Sequence, residues 1–125
     1  MARRYPAVIC IVDDDEALLL ALARLLAGAG YAVATFSSAQ SLLRFERLAE
    51  AHCLLIDVNL LDGDGIALQE RLLATGMRLP VVFMSGSPDA TTRERALRAG
   101  AVDYVKKPFD AAAVLAALRK AFGGG

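Results

Sequence analysis

The sequence predicts an α/β fold with a five-stranded parallel sheet covered by helices on both faces. Three observations predict it. Short apolar runs alternate with helical ones five times along the chain. Although 56% of the 125 residues are hydrophobic, they come in short runs separated by charged and turn residues, the pattern of a dense core. The residues that directly follow the strand-like runs are polar, as expected where a parallel sheet presents its carboxyl edge to a ligand.

The elements follow in order. Ala7 to Val12 reads as a β-branched-rich strand, Asp13 to Glu16 breaks it, and Ala17 to Ala27 reads as a helix with Gly28 placed to end it. Tyr31 to Thr35 reads as the second strand, and Ser37 with Gln40 has capping-box spacing for a helix running to about Leu48. Cys53 to Asp57 is the third strand, followed by a Gly- and Asp-rich loop from Asn59 to Gly65 and a helix from about Ile66 to Ala74. Pro80 to Met84 is the fourth strand. Ser87 as cap, Pro88 at the first position and Asp89 against the dipole then start a helix that reaches Ala99 and stops at Gly100. Val102 to Val105 is the fifth strand, and Asp110 caps a last helix that buries Val114, Leu115, Leu118 and Phe122.

Residues 1–122 read as one domain and Gly123–Gly125 as a flexible tail; the chain has no internal repeat, heptad array or low-complexity segment. Lys and Arg total 14 and so do Asp and Glu, so no global basic field exists to hold nucleic acid directly. Ala17 to Phe36 is long and apolar enough to suggest a membrane span, but Gly28 and Gly30 divide it into a buried helix and a strand. Arg3 and Arg4 precede an apolar run too short for a signal peptide. Cys10 and Cys53 lie inside strand-like runs without a second ligand at metal spacing, so they read as buried, reduced thiols of a cytoplasmic protein.

The chemistry is read at the strand ends. The first strand ends in Asp13 and Asp14, the third in Asp57, the fourth in Ser85, and the fifth runs into Lys106 and Lys107. Two like charges about 4 Å apart cost roughly 4 kcal/mol at an effective dielectric near 20, so three carboxylates at one edge call for a cation. Mg²⁺, with Asp13, Asp14, Asp57 and a backbone carbonyl as oxygen ligands, suits that demand. A carboxylate nucleophile, a metal, a hydroxyl and a lysine are the parts that phosphoryl transfer requires, with Asp57 as the attacking group.

Four separated motifs carry a resemblance over essentially the whole chain. Val12-Asp13-Asp14-Asp15-Glu16, Leu55-Ile56-Asp57-Val58-Asn59 with Gly65, Met84-Ser85-Gly86, and Asp103-Tyr104-Val105-Lys106-Lys107-Pro108-Phe109 resemble the response regulator receiver family of two-component signalling. The resemblance implies a flavodoxin-like (βα)5 fold with strand order 2-1-3-4-5. It implies Mg²⁺ on Asp13, Asp14, Asp57 and the Asn59 backbone carbonyl, with Asp57 as phosphoacceptor. Ser85 would hydrogen-bond the phosphoryl group, Lys107 rather than Lys106 would pair with it, and Tyr104 would be the aromatic switch. It also implies a cis Lys107-Pro108 bond. The partners it implies are a histidine kinase or phosphotransfer protein, an output domain or partner on the face of the fourth helix, fifth strand and fifth helix, and a phosphorylation-dependent dimer. The stretch Gly30-Tyr31-Ala32-Val33 with Phe36 and Ser38-Ala39 further resembles receivers joined to LuxR-type DNA-binding domains. One departure stands out: Leu61 occupies a position where the family often has proline, which leaves the loop after Asp57 less pre-organised.

The expected role is a signalling phosphoacceptor that assists its own phosphorylation and dephosphorylation, not an enzyme acting on other substrates. A phosphorylation-independent docking module and a metal-dependent phosphohydrolase are the alternatives; Asn59 instead of an acid two residues after Asp57 counts against the latter. An EF-hand reading of the loop fails because Leu61 falls on a ligand position and no glutamate stands at the twelfth. His52 reads as an ordinary edge or surface histidine, and Arg93, Arg95 and Arg98 as a solvated helix face that could serve in docking.

Overall fold

In the computed structural model, which describes residues 6–86 and 89–123, five parallel strands form one sheet. They are β1 (Val8–Val12), β2 (Ala32–Phe36), β3 (Cys53–Asp57), β4 (Val81–Ser85) and β5 (Ala101–Lys106), in spatial order β2-β1-β3-β4-β5. The helices are α1 (Glu16–Gly28), α2 (Ala39–Leu43), α3 (Gly65–Ala74), α4 (Ala90–Arg98) and α5 (Ala111–Ala121), with a 3₁₀ turn at Leu48–Glu50.

Strand alternation divides the core in two. Cys10, Val12, Leu54, Ile56, Val81 and Phe83 face α2, α3 and α4, where Leu42, Ile66, Leu72 and Ala96 meet them. Ile9, Ile11, Cys53, Leu55, Val82 and Met84 face α1 and α5, meeting Leu19, Leu22, Leu26, Val114 and Leu118. With both faces covered, β1, β3 and β4 can be apolar at nearly every position, which is why their sequences read as unbroken runs rather than alternating ones. Cys10 and Cys53 therefore sit on opposite faces as free, buried thiols, and burial pushes them up to about 11 and about 12.

Several expected boundaries move. α2 is capped by Ser38, whose hydroxyl accepts from Ser41 N–H at 3.1 Å, with the Ser41 hydroxyl completing the box; Ser37 and Gln40 do not form it. The helix ends at Leu43 rather than near Leu48, and Phe45 turns back onto Phe36 with ring centroids 5.1 Å apart. The left-handed residue after α1 is Gly30 (φ 99°), two positions beyond Gly28, which is still helical. Asp89 is the N-cap of α4, its carboxylate accepting from Thr92 N–H at 2.7 Å; Ser87 and Pro88, expected to start that helix, lie outside the described residues. Asp110 caps α5 as expected, but Phe122 lies just past its end, half-buried and stacked on Tyr31. The Ala17 to Phe36 stretch resolves into α1 and β2, and no helix among the described residues is long and apolar enough to cross a membrane.

Candidate functional site

The strand order reverses between β1, whose crossover leads outward to β2, and β3, whose crossover leads the other way to β4. The crevice at such a reversal is where open parallel sheets bind ligands. Val12 and Ile56 are register partners across β1 and β3, so Asp13 and Asp57, each one residue further on, emerge side by side. The apolar β1 run also fixes the burial of Asp13, which is fully inaccessible, while Asp57 is 5% exposed and Asp14 half-buried.

Carboxylate oxygens of Asp13, Asp14 and Asp57 all lie within 4.8 Å of one another. Lys107, brought to the same edge by β5, donates from Nζ to Asp13 Oδ2 at 2.7 Å and to Asp57 Oδ2 at 3.2 Å. The second oxygens are held by the backbone: Asp15 N–H donates to Asp13 Oδ1 at 2.9 Å, and Asn59 N–H to Asp57 Oδ1 at 3.1 Å. Lys106, its neighbour, is exposed, so the alternation of the strand separates the two lysines that composition alone could not.

Charge is unevenly balanced here. Three carboxylates face one ammonium, which leaves two negative charges uncompensated, the charge of one divalent cation. The titration directions agree with a crowded anionic site. Burial raises the Asp57 carboxyl above its usual range; the Asn59 N–H opposes this, Asp13 adds to it and Lys107 opposes it. Burial lowers Lys107, but its hydrogen bond to Asp13 and the charges of Asp57 and Asp13 together outweigh that and leave it raised.

Ser85 ends β4, buried, and its carbonyl accepts from Lys107 N–H at 2.7 Å, which ties the lysine's backbone to that strand end. The Lys107-Pro108 peptide is cis. Alternation along β4 and β5 puts Ser85 and Tyr104 on one face of the sheet. Tyr104 is half-buried against the α3–α4 side of the core, and its hydroxyl is buried without a hydrogen-bond partner among the described residues.

The loop after β3 is more ordered than its composition suggests. Asn59–Leu60 pairs antiparallel with Gly63–Asp64 as a two-residue ribbon, leaving Leu61 and Asp62 as its turn. Leu60 is buried, Leu61 is 88% exposed, and Asn59, two residues after Asp57, is exposed. Gly65 then opens α3 directly against the strand: a Cβ there would collide with the Asp57 carbonyl oxygen and lie 2.8 Å from Ile56 Cγ2. Gly65 belongs to the motif around Asp57, but the close approach that forbids a side chain there is a property of the packing.

Two sequence readings change. Arg95 is not merely solvated: its guanidinium lies 2.8 Å from Asp64 and 4.0 Å from Glu70, joining α4 to the start of α3. Arg93 sits 6.0 Å from the centroid of the Tyr104 ring, while Arg98 pairs, among the described residues, with Glu94 of its own helix at 3.2 Å. His52 is half-buried, and its Nδ1 accepts from Val8 N–H at 2.9 Å, so it closes the start of the β1–β3 pairing.

Comparison with known proteins agrees with this geometry. The family model for the response regulator receiver domain matches residues 9–119. The response regulator protein TodT of Pseudomonas putida is 38% identical over 115 residues, covering 92% of this chain and 51% of that protein. The transcriptional regulatory protein FixJ of Azorhizobium caulinodans is 35% identical over 113 residues, covering 90% of this chain and 54% of that protein. The chain thus spans about half the length of these curated relatives. A response regulator receiver protein from Pseudoalteromonas atlantica superposes with a TM-score of 0.86 at 33% identity, covering 94% of this chain and 98% of the other. With the family match extending over all five strands and the acidic crevice where the sheet order reverses, the chain belongs to the response regulator receiver domain family.

Proposed function

We propose that this chain is a phosphorylation switch whose acceptor is Asp57. The observation that carries the reading is the convergence of Asp57 with two further carboxylates within 4.8 Å and a lysine at 3.2 Å. An Asp57 carboxylate oxygen attacks the phosphorus of a phosphohistidine on a histidine kinase or phosphotransfer protein; the new O–P bond forms as the P–N bond breaks and the imidazole departs. Lys107 pairs with the incoming phosphoryl oxygens, and Ser85 hydrogen-bonds one of them. Asp13, Asp14, Asp57 and the Asn59 backbone carbonyl are the residues that would hold Mg²⁺. Hard carboxylate oxygens and two unbalanced negative charges fit it. Mg²⁺ would neutralise charge on the transferring group.

The switch follows from the same contacts. A phosphoryl group competes for Lys107 and Ser85, and Tyr104 on the Ser85 side responds by changing its packing, biasing α4, β5 and α5 between two arrangements that a partner, an output domain or a second copy distinguishes. The free, buried cysteines support a reducing, cytoplasmic setting.

The test is incubation with Mg²⁺ and acetyl phosphate, read by intact mass. A single hydroxylamine-labile phosphoryl group on the wild type, absent from Asp57→Ala, is expected. An unmodified wild type under both acetyl phosphate and a kinase donor would sink the reading.

A further inference from the structure

We propose that Asp62 is a positioning residue for the phosphoacceptor loop, pinning its turn to the start of α2 and so holding the Asn59 carbonyl in place. This rests on the phosphoacceptor reading above. The turn lacks internal stiffening: Leu61, at the position after the last paired residue of the ribbon, is not proline, and its side chain is largely exposed. Asp62, the next residue, supplies an external anchor. Its Oδ1 accepts from Ala39 N–H at 3.0 Å and its Oδ2 from Gln40 N–H at 3.1 Å, across more than twenty residues of sequence.

These bonds are more than a helix cap. Ser38 already caps α2 locally, satisfying Ser41 N–H, and Asp62 takes the two preceding donors. The helix is a fixed point, because Leu42 is fully buried in the core. A two-oxygen, two-donor contact therefore sets both the position and the direction of the turn. From the turn the constraint reaches Asn59 through the short ribbon that pairs Asn59 with Asp64 and Leu60 with Gly63. The two N–H donors also hold the Asp62 carboxyl below the usual carboxylate range, so the anchor stays ionised at neutral pH.

The experiment is calorimetric titration of the full chain with Mg²⁺ alone, comparing wild type, Asp62→Ala, Asp62→Asn and the double variant Asp62→Ala/Leu61→Pro. Asp62→Ala should weaken Mg²⁺ affinity by about tenfold, the low end of what losing an outer partner costs a metal site. Asp62→Asn, keeping one acceptor oxygen, should fall between the two. Adding Leu61→Pro, which stiffens the first turn position from within, should recover most of the loss. A purely structural cap would lower the melting temperature of Asp62→Ala while leaving Mg²⁺ affinity unchanged, and that result overturns the proposal. If Asp62→Ala fails to fold, unchanged affinity in Asp62→Asn does so. Wild type that takes a phosphoryl group while both Asp62 variants bind Mg²⁺ normally defeats this inference alone; wild type that neither binds Mg²⁺ nor takes a phosphoryl group defeats the phosphoacceptor reading with it.

Discussion

Replacing Gly65 with alanine asks whether the contact between α3 and β3 is as close as the packing requires. A Cβ at Gly65 would overlap the Asp57 carbonyl oxygen, stand 2.8 Å from Ile56 Cγ2 and 3.0 Å from the Asp57 carbonyl carbon. Ordinary contact begins near 3.4 Å, so the Ile56 methyl alone must retreat by about 0.6 Å and the backbone of Asp57 by more. Overpacking of this kind costs roughly 1–3 kcal/mol, and a clash with backbone belongs at the upper end. Alanine returns up to about 1 kcal/mol through helix propensity and a less flexible unfolded chain. The net expectation is a loss of about 2 kcal/mol, a sizeable share of a typical 5–15 kcal/mol domain stability. Because the displaced residue is the proposed phosphoacceptor, phosphorylation by acetyl phosphate should also slow by at least about tenfold, given that a 1 Å misplacement can cost about 10²-fold. Urea titration and intact-mass time courses measure the two effects. Gly28→Ala is the control: nothing lies within 4 Å of a Cβ there, so the same substitution should be neutral or slightly stabilising. Equal midpoints and equal phosphorylation rates for Gly65→Ala and wild type would refute the argument.

Other outcomes follow from the site's charge and burial. Asp57 has a raised carboxyl pKa, chiefly from burial, so the stability linked to it is complete below the unfolded carboxylate value and is lost as pH rises through the raised folded value. Without Mg²⁺, Asp57→Asn should therefore melt higher than wild type at neutral pH, with the gap closing as pH falls toward the unfolded carboxylate value; a gap that widens on acidification contradicts the sign. Mg²⁺ at about 100 times its dissociation constant should stabilise wild type by about 2.7 kcal/mol, and Asp14→Ala should abolish most of that gain in a thermal melt. Tyr104→Phe removes a buried hydroxyl with no partner among the described residues and should be neutral or stabilising by up to about 1 kcal/mol in urea; a loss above about 1 kcal/mol would mean that the hydroxyl is bonded.

The sequence by itself determined the order of elements and the identity of the polar strand ends. Apolar runs such as Cys53–Asp57 and Val81–Ser85 are legible because a strand covered on both faces has no polar side to interrupt it. Asp13, Asp14, Asp57, Ser85 and Lys107 were legible because each directly follows or ends such a run. What stayed hidden depends on contacts between residues far apart in the chain. Capping spacing offered Ser37 with Gln40, but Asp62 engages the Gln40 N–H and the working box forms on Ser38 and Ser41. A helical pattern to about Leu48 lost to the packing of Phe45 on Phe36. The arginines of α4 looked alike in sequence, yet Arg95 reaches Asp64, Arg93 lies near Tyr104, and Arg98 stays on its own helix. The motif resemblance singles out Lys107 over Lys106, but the contacts of its Nζ with Asp13 and Asp57, and the exposure of Lys106, belong to the tertiary structure. Local pattern encodes burial and backbone conformation; partners across the sheet edge are set by register and crossover, which bring Asp13 and Lys107 within 2.7 Å from 94 residues apart.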